Sequence, residues 1–294
     1  MNMKKNNLHI LLTHLVLITI AVVVLLPVFS VVSVSLSKTG SLNGGVIPKD
    51  FSLDHWKYIL GVPFKNTNGE EVVSQYPILK WLFNSLKISF LSSILMLFFS
   101  TTAAYSLSRF KFYGREASLK FLMIMQMFPN MMAMVAFYFM LDYIGSGVPQ
   151  LGVDTHGGLI LIYLAGTPFN IWLLKGYFDS LPKSIEESAR MDGCTHFQAF
   201  TKIVLPLSAP MLAVIGLLTF IGTFSDFILP SILLKTQDKM TFAVGIQIFI
   251  SESFASRWGQ FSAAAILGAL PISLVFFSIH RYIAGGLASG SVKG

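Results

Sequence analysis

Side chains able to do covalent, metal or nucleotide chemistry are few in this chain, and their spacing is wrong for it. The six histidines form no H-E-x-x-H pair, no G-x-S-x-G turn presents a serine, and no G-x-x-x-x-G-K-[ST] loop offers backbone amides to a phosphate. Cys194 is the single cysteine, so no intrachain disulfide or thiolate metal cluster can be built, and beside Gly193 it reads as a small packing residue. No catalytic residue, metal or cofactor is assigned. What stands out instead is a charged, glycine-punctuated stretch, EESARMDGCTHFQAFTKIVLP from Glu186 to Pro206, set between two long apolar runs.

That stretch reads as two short helices. Ser184 and Glu187 have the S-x-x-E spacing of a capping box, Gly193 after Asp192 supplies a left-handed stop, and Thr195 and Gln198 repeat the device as T-x-x-Q. On the second helix Phe197, Phe200, Ile203 and Val204 share a face, with His196, Gln198 and Lys202 away from it; Ile185 and Ala189 serve the first. An elbow capped this way and tied at both ends to apolar runs is a rigid shape. It suits either docking onto another protein or lying as an interfacial helix on lipid headgroups, and the residues alone leave both open.

The elements that must hold this elbow are membrane spans. The chain has 294 residues, 54% hydrophobic and only 12% charged, about half the charged share of soluble domains, with a mean hydropathy of +0.68. Six runs are long and apolar enough to cross a bilayer, at about 10 to 34, 82 to 107, 121 to 141, 158 to 176, 207 to 230 and 261 to 283. The first is too long for a signal-peptide core and no small-x-small cleavage site follows it, so it reads as a retained anchor. A net charge of +7 comes from Lys and Arg at span ends rather than one stripe, which argues against nucleic acid. Lys4, Lys5, Arg109, Lys111, Arg115, Lys120, Lys175, Lys183, Arg190, Lys202, Arg281 and Lys293 flank one set of ends, while the short loop DYIGSGVPQLGVDTHGG carries no Lys or Arg. The positive-inside rule then puts both termini and the elbow in the cytoplasm. The polar loop Lys38 to Lys80 is external, with Trp56 and Trp81 suited to the outer interface, and one membrane domain over 1–294 suffices.

Within the runs, Lys87 and Asp226 lie near outer ends rather than at the midplane, which disfavours an ion-coupled carrier. The third run is rich in methionine, which suits irregular packing between helices, and Pro129 can kink it. Gln126 and Asn130, four apart, share a face for a polar path or a helix contact, and Asn170 is equally ambiguous. Between the last two runs, Phe249, Phe254 and Trp258 suit either a protein contact or anchoring in lipid. A purely structural scaffold fits the spans but gives no reason for a capped elbow.

Glu187, Ser188, Ala189, Gly193, Ile203, Leu205 and Pro206 resemble the EAA signature of ABC importer permeases in every spacing; only Ser188 departs, where the family usually has Ala. HWKYILG, WLFNSLK, STTAAYSLSRFKF, MQMFP, DTHGG, KGYFDSLP, FAVGIQ, FSAAAILGALPI and the ending GGLASGSVKG are similar to the MalG-type branch, the permeases of maltose and maltodextrin importers. The resemblance implies an all-α integral membrane protein of type I ABC importer permease fold, with six transmembrane helices in the bacterial cytoplasmic (inner) membrane. It implies that residues 184–206, with Glu187, Ser188, Ala189, Asp192, Gly193, Ile203, Leu205 and Pro206, form the coupling helix that fits a cleft on a cytoplasmic ATPase dimer. A MalF-type partner permease and an extracytoplasmic sugar-binding protein are the other partners implied, ATP hydrolysis falls to the ATPase, and the Gly-rich tail approaches the ATPase interface. The sugar site is implied to lie mainly in the partner permease, so substrate contacts in this chain are unassigned. Another sugar, or an ion-coupled secondary carrier, are the alternatives.

Overall fold

The computed structural model describes residues 2–41, 45, 47–48, 50–65, 69–251 and 257–290, with the side chains of 2–9, 130 and 283–290 outside that description. Helices dominate, and one small hairpin pairs β1 (Phe64–Lys65) antiparallel to β2 (Glu71–Val72). Among the described residues, four helical stretches are long and apolar enough to cross a membrane. They are most of α1 (Asn2–Leu36), α3 (Ile78–Arg109), the start of α15 (Trp258–Gly290), and a stack in which one 3-10 turn joins α6 (His156–Tyr163) to α7 (Thr167–Ser180). Two further runs are bent pairs, so six spans are reached only if each pair counts as one.

Proline sets both bends. In the third run α4 (Arg115–Met127) and α5 (Asn130–Gly147) meet at 105°. Pro129 brings no N–H to a helix, and its ring forces Phe128 into an extended conformation, ψ 125°. Gln126 and Asn130 therefore sit on different helices, and the shared face expected of them is lost. Of the methionines in this run, Met134 packs against the cluster around Leu141 and Leu159 as expected, while Met123, Met125, Met127, Met131, Met132 and Met140 are exposed in this chain. In the fifth run, the elbow helix meets α11 (Ala209–Ser225) at 74°, two residues before Pro210.

The chain forms two compact units, Met1–Leu79 with Ile246–Leu270 and Lys80–Gly245 with Pro271–Gly294. In the first, α1 is mostly apolar and exposed from Ile10 to Phe29, with His14 and Thr19 bonding back to Ile10 O and Leu15 O, which suits a helix facing lipid or another helix. The loop after it is ordered by α2 (Asp54–Ile59) and by Trp56, whose indole N–H reaches Ser35 Oγ at 3.3 Å. Phe249 on α14 (Ile248–Ser251) is buried, meeting the rings of Tyr58 and Tyr76 edge-on, so it offers no surface contact. Phe254 lies outside the described residues, and Trp258 is half-buried against Phe261.

Among the described residues of the second unit, two apolar clusters stand out. Ala104, Tyr105, Leu107, Ile171, Leu174, Phe178, Phe200, Val204 and Ile215 join α3, α7, the elbow and α11. Ile88, Leu141, Leu159, Ile162, Leu229 and Leu233 join α3, α5, α6 and α12 (Ile228–Leu233). Along α3 the buried serines Ser85, Ser89, Ser92 and Ser100 keep the helix narrow enough for close approach.

Residues 235–242 are clamped from two sides. Trp81 donates its indole N–H to Gln237 O at 2.7 Å, Asn84 Nδ2 donates to Asp238 O and Met240 O at 2.9 Å each, and Phe242 N donates to Ser85 Oγ at 2.8 Å. Trp81 is thus fully buried rather than at the lipid interface, and its ring lies where any side chain at Gly245 would have to go. From the other side Asp154, in the left-handed region at φ 56°, accepts from the amides of Lys235 and Thr236, the Thr236 hydroxyl and Lys239 Nζ. Burial works to raise the Asp154 carboxyl, but these donors outweigh it and hold the group well below the usual carboxylate range.

A folded pKa below the ordinary 3.8 gives stabilisation that is present above that value and is lost as pH falls toward the folded one. The melting temperature of the purified chain in detergent is expected to fall between about pH 5 and about pH 3 by more in the wild type than in Asp154→Asn. At pH about 7 the variant is expected to be the less stable. Parallel pH profiles of the two proteins would show that the clamp does not depend on this charge.

Candidate functional site

The elbow is built from α8 (Lys183–Met191), α9 (His196–Ala199), a π-helical turn (Phe200–Val204) and α10 (Leu205–Leu207). Its first expected cap is displaced. Pro182, with φ −60°, occupies the N-cap of α8, no side chain caps that helix among the described residues, and Ser184 falls inside the first turn instead of pairing with Glu187. Proline fixes its φ near the helical value without needing an amide partner, so the helix starts earlier than a serine cap would set.

The turn between the helices is as the sequence requires. Gly193 has φ 89°, its amide donates to Arg190 O at 3.0 Å, and Cys194 N donates to Ala189 O at 3.0 Å, which together make a Schellman stop. With open space around the Gly193 Cα, a side chain there meets no clash; only the backbone conformation resists it, at about 1–2 kcal/mol. Thr195 and Gln198 then form the expected capping box: Gln198 N donates to Thr195 Oγ1 at 3.2 Å and Thr195 N to Gln198 Oε1 at 2.8 Å.

Pro206 leaves Lys202 without the amide an α-helix would bring to it, and the chain widens into the π turn just before. This breaks the 3.6-residue face expected on the second helix. Phe200 and Val204 are buried against Tyr105 and the cluster around it, Ile203 is half-buried, and Phe197 turns outward, 72% exposed.

A buried ion pair fixes the elbow to α3. Arg109 Nε lies 2.6 Å from Glu186 Oε1, with only 7% and 11% of the two side chains exposed. Tyr105 donates its hydroxyl to Glu186 Oε2 at 3.0 Å, while Arg109 Nη2 reaches Leu181 O at 3.3 Å and Nη1 reaches Ser108 Oγ at 3.2 Å. Ser108 in turn donates to Asp179 Oδ1 at 2.6 Å. Both partners in the ion pair thus have further hydrogen bonds, which is what makes burial of two charges tolerable.

Of the sequence-predicted residues, Glu187, Ser188, Asp192, Gly193 and Pro206 are exposed, Ala189 is buried, and Ile203 and Leu205 are half-buried, Leu205 against the first cluster. Arg109, Glu186 and Tyr105 were not among them. The signal was faint: two adjacent acids in an elbow and an arginine ending an apolar run, 77 positions apart. The exposed side carries Met191, 89% exposed, and Phe197, with Glu187 and Asp192 near them in sequence, so the elbow is a fixed peg with apolar tips and a charged rim. Its form suits docking against another protein surface.

Residues 96–288, which include the whole elbow, match the binding-protein-dependent transport system inner membrane component family. The chain is 42% identical over 282 residues to the maltose/maltodextrin transport system permease protein MalG of Vibrio vulnificus strain YJ016, covering 96% of this chain and 95% of that one. To MalG of Escherichia coli strain K12 it is 39% identical over 291 residues, covering 99% and 98%. Among solved structures, a chain of a bacterial ABC transporter involved in the import of the acidic polysaccharide alginate shares the fold, with a TM-score of 0.76, 24% identity, and coverage of 95% and 97%.

Arg109→Met leaves Glu186 as an uncompensated buried charge and is expected to destabilise the chain by about 3–5 kcal/mol. Arg109→Met combined with Glu186→Leu removes both charges and is expected to recover much of that loss. Thermal melting in detergent reads the difference, and a double variant no better than the single would mean that packing, not charge, holds the elbow.

Proposed function

The chain belongs to the binding-protein-dependent transport system inner membrane component family, and from that premise we propose that it is the permease subunit through which an ATP-driven importer takes up maltose and maltodextrin. The observation that carries this reading is likeness to MalG proteins at 39–42% identity along nearly the whole chain. Six spans, each bent pair counting as one, cross the bacterial cytoplasmic membrane with both termini and the elbow inside.

The partners are a MalF-type permease, a cytoplasmic ATPase dimer and an extracytoplasmic sugar-binding protein. The ATPase hydrolyses ATP; this chain carries the motion. Glu187, Ser188, Ala189, Asp192, Gly193, Ile203, Leu205 and Pro206 form the coupling helix. Its exposed Met191 and Phe197 serve as apolar anchors in the ATPase cleft, with Glu187 and Asp192 as polar rim, the usual arrangement at a protein interface. When the ATPases close, the elbow moves as a solid piece. The Arg109–Glu186 pair and the packing around Tyr105 pass that movement to α3 and α7, so the spans swing together and access alternates between the two sides.

Uptake of labelled maltose, maltotriose and longer dextrins should be lost in cells lacking this chain and having no redundant importer; unchanged uptake of all three sinks the reading. Met191→Asp and Phe197→Asp together are expected to leave membrane insertion intact and cut transport at least tenfold. Burying each side chain contributes about 1.5–3 kcal/mol, and about 1.4 kcal/mol is a factor of ten. Normal co-purification of the ATPase with this double variant would remove the elbow from the interface.

A further inference from the structure

The second unit contains a cavity of about 540 Å³, within the roughly 300–1,000 Å³ typical of small-molecule sites. It lies among α5, the α6–α7 stack, α11 and α12, and much of its wall is apolar, with Met134, Phe137, Phe169 and Leu218. One side is not. Thr219 and Thr223, at i and i+4, share one face of α11, Asp226 follows just past its end, and Asn170 on α7 and Tyr163 on α6 line the same space.

These polar groups are arranged but not used up. Asn170 is 7% exposed and gives one N–H to Thr219 Oγ1 at 3.3 Å, with no further partner for its carbonyl and second N–H among the described residues. Tyr163 donates its hydroxyl to Asp226 Oδ2 at 3.0 Å and keeps an oxygen lone pair; Ile228 N donates to Asp226 Oδ1 at 3.1 Å. In a segment read as crossing a membrane, polar side chains with spare hydrogen-bonding capacity mark a functional site by default.

The chemistry selects the ligand class. A single carboxylate already holding two donors is a poor cage for a metal cation, which needs about six or more oxygens. The same carboxylate repels an anion. A lipid chain would leave the carbonyl and second N–H of Asn170 unpaired, at about 1–3 kcal/mol each. A neutral polyhydroxyl ring fits: its hydroxyls can both give to and accept from Asn170 and Thr219 and can give to Tyr163, whose own proton is held by Asp226, and its C–H faces can lie on Phe137 and Phe169. We propose that this cavity is a carbohydrate-binding site, so that this chain itself contacts the sugar during translocation. The proposal rests on the sugar-importer reading above.

The test uses the assembled transporter, with its ATPase, partner permease and binding protein. Asn170→Leu and Thr219→Val are each expected to lower maltotriose uptake about tenfold with normal amounts of assembled complex. Gly222→Leu should do the same by filling the cavity, because no atom lies within 4 Å of a Cβ placed there. In a Cys194→Ser background, Thr219→Cys should react with a water-soluble maleimide, and maltotriose should slow the labelling at least fivefold where sucrose does not. A thiol that the maleimide does not reach, as when lipid or a partner helix fills the space, or one labelled at the same rate with and without maltotriose, overturns the proposal. So does wild-type uptake in all three cavity variants. Absence of maltodextrin uptake by the wild-type complex would overturn the importer reading itself, a separate outcome.

Discussion

A guanidinium and a carboxylate 2.6 Å apart, almost sealed from solvent, fix the position of everything on the elbow side of the second unit. Neither charge would survive burial alone, since the desolvation of one ion costs several kcal/mol. Arg109 closes α3, Glu186 sits in the first turn of α8, and the same arginine reaches Leu181 O between α7 and α8. Three helices are thereby indexed to one another by groups whose geometry leaves little play. Tyr105 adds a second tie, its hydroxyl on Glu186 and its ring 4.5 Å from that of Phe200, so both arms of the elbow are referred to the same turn of α3.

Rigidity at that point matters because the chain is interrupted nearby. The π turn before Pro206 and the 74° bend at Ser208 are places where the backbone ladder is broken and side chains must take over its work. Tyr177 does so directly, donating its hydroxyl to Leu207 O at 3.2 Å. A push on Met191 or Phe197 therefore meets a braced joint rather than a slack loop.

What could be read from sequence follows the range of each interaction. The Thr195–Gln198 box and the Gly193 stop involve residues within a few positions, and local spacing announced both. Ser184 misled because Pro182, two residues earlier, sets the helix start first. Six apolar runs were legible, of which four hold helices long and apolar enough to cross a membrane and two are bent pairs; the 105° break at Pro129 was legible only as a kink, because hydropathy reports composition and not direction. Trp81 and Phe249 looked like surface aromatics because nothing local says otherwise. Their partners, Gln237 O, Tyr58 and Tyr76, lie far along the chain. Arg109 was visible only as a charge for orientation, since its pairing to Glu186 is a tertiary fact.

Three sets of polar groups in the second unit differ in how fully they are satisfied. At the clamp around residues 235–242, Asp154 accepts four donors, and Asn84 spends one amide nitrogen on two carbonyls. At the elbow, each carboxylate oxygen of Glu186 and each guanidinium nitrogen of Arg109 has a partner. Such networks can only hold still, because any movement exposes an unpaired group in a poorly solvated place. The stripe of Asn170, Thr219 and Tyr163 differs, for its members are oriented by one bond each and keep others in reserve. A membrane helix gains nothing in stability from reserve of that kind, since an apolar residue would pack there without needing a partner. Spare capacity set between two partnered networks is therefore where a passing polar ligand can exchange one set of hydrogen bonds for another while the frame around it stays intact.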